Sequence, residues 1–142
     1  HFDPKQPEFA PTGPVDMVLT FRNVHNWAKA GSAEAMFAGF AKALKPGGVL
    51  GVVEHRAKVG TPLDIQIKSG YMTEDYVIQM AKDAGFRLDA KSEINANPKD
   101  TADHPNGVWN LLPSLRGVED DDKLDIISIG ESDRMTLRFI KE

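Results

Sequence analysis

A short apolar run followed by an amphipathic helical stretch occurs twice in this chain, and that alternation leaves few folds open. Val15 to Phe21, V-D-M-V-L-T-F, is mostly apolar, with Gly13-Pro14 before it and polar residues after it, the pattern of a buried strand. From Gly31 to Leu44 the period lengthens: Met36, Phe37, Phe40, Ala41 and Leu44 fall at offsets 0, 1, 4, 5 and 8, with Ser32 as candidate N-cap and Glu34 in the first turn. Lys45-Pro46-Gly47-Gly48 stops that helix, and Gly48 to Val53 forms a second strand ending on Glu54 and His55. Thr73 then caps a helix whose Tyr76, Val77, Met80, Ala81 and Ala84 repeat the same offsets. Glu74 and Asp75 complement its N-terminal dipole, and Gly85 ends it. Phe86 to Ile94 is a third strand; Arg134 to Ile140, with Met135, Leu137 and Phe139 alternating, is a fourth with one buried face. Leu124 to Ile129 is apolar but too short to class.

This order predicts an α/β sheet that begins parallel and closes with an antiparallel hairpin, in a single domain over residues 1–142. The 41% hydrophobic and 27% charged composition fits a globular chain with a real core. Residues 95–122, rich in Pro, Asn, Asp and Gly, form a long loop anchored by Trp109, Leu111 and Leu112; loops of that length are functional or disordered. Ligands gather at the carboxyl ends of such strands. Arg22-Asn23-Val24-His25-Asn26 lies just past the first strand and Glu54-His55 just past the second, so both clusters are expected on one rim.

Several partners are disfavoured. A net charge of -4 without a basic patch argues against nucleic acid, and no run approaches the roughly 18 apolar residues that cross a bilayer. There is no cysteine, which removes disulfides, thiolate metal sites and thiol nucleophiles. No H-x-x-x-H or E-x-x-H pattern marks a metal centre, and no G-x-S-x-G marks a hydrolase nucleophile.

Within the rim clusters, His25 suits a general base, or is held in the turn by hydrogen bonds. Arg22 and Asn23 hold an acceptor group or brace the loop; Asn26 caps, and Trp27 packs. Glu54 and His55 are adjacent, so their side chains are expected to diverge, with only one entering a shared site; a Glu54–Arg56 ion pair is the structural alternative. His104 is expected in solvent, and Glu131, Asp133 and Arg134 as a turn with an internal ion pair.

The strings "VDMVLTFRNVHNW", "FAGFAKALKPGGVLGVVEHRA", "YMTEDYVIQMAKDAGFRL" and "ESDRMTLRFIKE" resemble the later half of a class I S-adenosylmethionine-dependent methyltransferase. "EINANPKDTADHPNGVW" and "IGESDRMTLRF" resemble, more narrowly, a bacterial group of predicted methyltransferases. The resemblance implies a Rossmann-like sheet whose fourth to seventh strands are present, S-adenosylmethionine as cofactor and a small-molecule methyl acceptor. By the same likeness His25, Glu54 and His55 are the candidate catalytic residues, and Arg22, Asn23 and Asn26 the candidate cofactor contacts. The family's glycine-rich turn is missing: with twelve glycines, the chain has no G-x-G. The chain alone is therefore expected to be inactive, and a non-catalytic fragment or interaction module is the alternative. The N-terminal half is expected to lie outside the chain. Since Val15 to Phe21 is apolar on both faces apart from Asp16 and Thr20, its free edge is expected to be covered by that half or by a second copy. No compartment is assigned.

Overall fold

The computed structural model describes residues 2–10 and 12–142. The first strand, β1 (Val15–Phe21), leads into two helices, α1 (Val24–Ala30) and α2 (Ala33–Ala43). The long strand β2 (Leu44–His55) follows, then helices α3 (Leu63–Ser69) and α4 (Glu74–Asp83) and strand β3 (Phe86–Ser92). A segment with two 3-10 turns precedes α5 (Lys123–Ile129) and the last strand, β4 (Arg134–Lys141).

The sheet order is β1-β2-β4-β3. β1 and β2 run parallel, with Thr20 opposite Val52 and Phe21 opposite Val53. β4 enters antiparallel between β2 and β3. The expected closing pair is thus β3 with β4, joined through the long segment after Ser92 rather than by a tight turn. This order puts the ends of β1 and β2 side by side on one rim.

Leu50 and Val52 of β2 and Met135, Leu137 and Phe139 of β4 lie in one cluster with Val24 of α1, Met36, Phe37 and Phe40 of α2, and Val77 and Ala81 of α4. Each buried side chain of this size contributes on the order of 1.5–3 kcal/mol, so this single cluster accounts for most of the hydrophobic stabilisation. Phe9 of the N-terminal segment stacks on Phe40 at 4.9 Å and presses against Gly39, where a Cβ would sit 2.8 Å from its ring. Trp27 packs on Phe40 at 5.5 Å, in agreement with a packing role.

The opposite sheet face is open. Met17, Leu19 and Phe21 alternate along β1 at 54–56% exposure, next to Val49, Gly51 and Val53 of β2, and line a concavity of about 410 Å³. Among the described residues no strand pairs with the other edge of β1. An apolar face with an unpaired edge is a surface that proteins ordinarily cover.

Several local readings change. Thr73 caps α4 as expected, its hydroxyl accepting from Tyr76 N–H at 3.1 Å. Ser32 occupies the N-cap position of α2, but its buried hydroxyl makes no hydrogen bond. β2 starts at Leu44, because Lys45-Pro46-Gly47-Gly48 runs as irregular strand with a register shift against β1. β3 ends at Ser92 rather than Ile94. No helix of the described residues is long and apolar enough to cross a membrane.

Candidate active site

The rim forms where β1 ends. Arg22 takes φ +56, a left-handed conformation rare outside glycine, and its N–H donates to Val53 C=O at 2.7 Å. That turn ends β1 and starts α1 directly, so His25 sits in the first turn of a helix rather than in a loop. Glu54, at the end of β2, is fully buried and receives His25 from two directions. His25 N–H donates to Oε2 at 2.8 Å, and its Nδ1–H donates to Oε1 at 3.0 Å and Oε2 at 3.1 Å. His55 N–H donates to Oε1 at 2.8 Å. A carboxylate so surrounded by donors fixes the His25 ring and places the proton on Nδ1, which leaves the Nε2 lone pair free to accept a proton.

Glu54 and His55 were expected to diverge; instead both reach His25. The two imidazole centroids are 5.4 Å apart. β2 ends at His55, and beyond it the chain pairs only through a single parallel bridge between Arg56 and Met72, so Glu54 and His55 lie at the frayed end of the strand, where strict alternation is weakest. The Glu54–Arg56 pair does not form: Arg56 instead binds Asp133 at 2.9 Å, Glu74 at 3.0 Å and Glu93 at 2.8 Å. Of the 131–134 turn, only Glu131 and Arg134 pair internally, at 3.0 Å.

His55 Nδ1 meets Ser132 Oγ at 2.5 Å. Burial above all, with the neighbouring His25, Arg134 and Arg22 acting the same way and Asp100 opposing, holds its pKa down to about 3. The ring is therefore neutral in the folded protein across the mildly acid range, whereas the unfolded chain takes up a proton near 6.5. Its contribution to stability is complete above about pH 6.5 and is lost as pH falls from there towards 3. Urea unfolding between pH 7 and 4 should show this decline, and His55→Gln should flatten it.

The residues that sequence reasoning missed hold the long segment against the site. Asp100, buried, accepts from Tyr71 Oη–H and Asp133 N–H at 2.8 Å, from Ala102 N–H at 2.9 Å and from His104 Nε2–H at 2.8 Å. Burial and Asp100 push the Tyr71 phenol strongly up, so it remains a donor. His104, expected in solvent, has a side chain only 8% exposed. Of the anticipated anchors, Leu111 is fully buried, and Trp109 brings its ring centroid to 6.2 Å from that of His25. Nothing in the spacing of these residues announces their meeting; only the topology does.

Arg22, Asn23 and Asn26 are exposed on the same rim, and neither Asn23 nor Ser32 caps its helix with its side chain. His25, Glu54 and His55 also place one donor atom each within 4.8 Å of one another, a grouping that could gather a small cation. Both Glu54 oxygens already accept from N–H groups, however, so an ion would have to displace that bonding.

No family profile and no curated protein matches the sequence. Solved structures do match in fold. A TehB-like SAM-dependent methyltransferase from Corynebacterium glutamicum is 15% identical, with a TM-score of 0.54 over 99% of this chain and 54% of its own. An O-methyltransferase family 2 protein from Planctomyces limnophilus, in complex with apigenin, is 12% identical, with a TM-score of 0.57 over 99% of this chain and 34% of its own. The cyclase SpnF is 15% identical, with a TM-score of 0.59 over 98% of this chain and 53% of its own. The chain spans about a third to a half of the chains it matches, and it shares with that part of them a Rossmann-like α/β fold.

Proposed function

We propose that this chain is the acceptor-side portion of an S-adenosylmethionine-dependent methyltransferase acting on a hydroxyl group of a small molecule. The observation that carries the reading is the buried His25–Glu54 dyad beside the carboxyl ends of β1 and β2, with no hydrogen-bond partner for His25 Nε2 among the described residues. His25 takes the acceptor's proton at Nε2. Glu54 holds the ring in the required tautomer, and neutral His55 lies beside it without adding charge. Arg22, Asn23 and Asn26 are assigned to the methyl donor's side of the rim. S-adenosylmethionine, when bound, supplies an electrophilic methyl group on a good leaving group, so the protein needs only placement and a base.

On this reading a separate portion supplies the rest of the donor site, and the absence of a G-x-G turn from these residues supports it. The open face and edge of β1 are the surface on which that portion, or a second copy, would lie. A second reading, an interaction module without catalysis, is favoured by the same open apolar face, and a fold shared with a cyclase does not exclude it. Calorimetric titration with S-adenosylhomocysteine separates the two readings. The longest form of the protein that carries this chain is expected to bind it at micromolar concentration, and the chain alone far more weakly. Absence of binding by the longer form would leave the interaction module as the better account.

A further inference from the structure

Trp109 belongs to two neighbourhoods. Besides approaching His25, it lines a surface cavity of about 480 Å³ together with Lys29, Lys68, Arg116 and Asp64. The cavity therefore gathers three cationic side chains around one carboxylate, in a chain whose net charge is -4. Arg56, Arg134 and Arg138 elsewhere are held in ion pairs; among the described residues none of these three cations is. Uncompensated like charges gathered in a concave site raise the local potential and draw in an anion.

The placement of the three cations ties this cavity to the dyad. Lys29 follows His25 by four residues on α1, the spacing that puts two side chains on one helical face a turn apart. α1 packs on α3, which brings Lys68 from its last turn. The long segment supplies Arg116, whose guanidinium carbon lies 5.8 Å from the Trp109 ring centroid. The wall is built rather than loose. Arg116 N–H donates to Trp109 C=O at 2.8 Å, and Asn110 Nδ2–H donates to Arg116 C=O at 2.6 Å. Gly107, at φ +60, allows the segment to lie on α3, since a Cβ there would fall 2.1 Å from Ser69 C=O.

We infer that this cavity receives a carboxylate of the methyl acceptor, so that the substrate is a hydroxy acid with its hydroxyl directed to His25 and its anionic end to Lys29, Lys68 and Arg116. The inference rests on the methyl-transfer reading for the hydroxyl end, and on the cavity alone for the anionic end. Asp64, on the opposite side of the charge balance, would disfavour a second negative group.

Calorimetry of the protein with 4-hydroxybenzoate and with neutral, similarly shaped 4-hydroxybenzamide tests it, with no methyl donor present. The acid is expected to bind at least about tenfold more tightly, with that preference shrinking as salt is added. Lys68→Gln combined with Arg116→Gln, both exposed positions whose replacement leaves the core untouched, should bring the preference below about threefold. Equal affinity for acid and amide would overturn the inference, as would no binding of either or a preference that survives the double substitution. Because S-adenosylhomocysteine plays no part, a preference for the acid alongside failure to bind S-adenosylhomocysteine would sink the methyltransferase reading while leaving the anion site standing.

Discussion

Glu54→Ala is expected to lower the stability of this chain by about 3–5 kcal/mol. The side chain is fully buried, and its two oxygens accept from the backbone N–H groups of His25 and His55, each at 2.8 Å, as well as from the His25 ring. Removing it strands two buried backbone donors, and each unmet donor costs about 1–3 kcal/mol. The emptied volume adds a cavity term. Glu54→Gln keeps the shape but turns an amide N–H₂ towards donors that need an acceptor, so about half the loss is expected. Urea unfolding measures both: the midpoint should fall with the slope unchanged, since the surface exposed on unfolding is nearly the same. If Glu54→Ala came within about 1 kcal/mol of the parent protein, the carboxylate would not be the organiser of this rim, and the dyad would lose its physical basis.

The elements that could be read from the residues are those whose signal is local. Met36, Phe37 and Phe40 mark the buried face of α2 by spacing alone, Thr73 announces the start of α4, and Met135, Leu137 and Phe139 mark the buried face of β4. Even the rim was legible in outline, since it requires only that two parallel strands end side by side.

What could not be read depends on long-range pairing or on short elements. α1 and α3 have seven residues each, too few turns to show a period against background. The place of β4 between β2 and β3 is a matter of which edges meet, and no residue in β4 encodes it locally. The contact of Asp100 with Tyr71 and Asp133 joins residues roughly 30 apart in sequence, and Asp100 itself lies in a stretch whose Pro, Asn and Gly content reads only as loop. Likewise, the convergence of Glu54 and His55 on His25 depends on the end of β2, whose last residue pairs with Met72, 17 positions further along the chain.

On the proposed methyltransferase reading, His25→Ala in the longest form of the protein that carries this chain should reduce the methyl-transfer rate by about 10²–10⁴-fold, the range for removing a general base that acts in the rate-limiting step. The side chain is held by Glu54 rather than by bulk packing, so affinity for S-adenosylhomocysteine and for the acceptor should change little, and the loss should fall on kcat. The same reasoning predicts strong coupling between partners. Glu54→Gln alone removes the acceptor that fixes the ring and the proton on Nδ1, so it should cost a large part of the same factor. In the double variant, losing Glu54 should add little, because there is no longer a ring to position. Small imidazoles added in solution should partly restore the His25→Ala enzyme, since the vacated space beside His55 can admit a diffusible base, and should do nothing for Glu54→Gln, where the ring remains but is misdirected. A merely structural His25 would behave otherwise: its loss would lower both binding affinities together with the rate, show no rescue, and add to the effect of Glu54→Gln. Activity within tenfold of the parent protein after His25→Ala would remove the base from the reaction and leave the rim as a binding surface only.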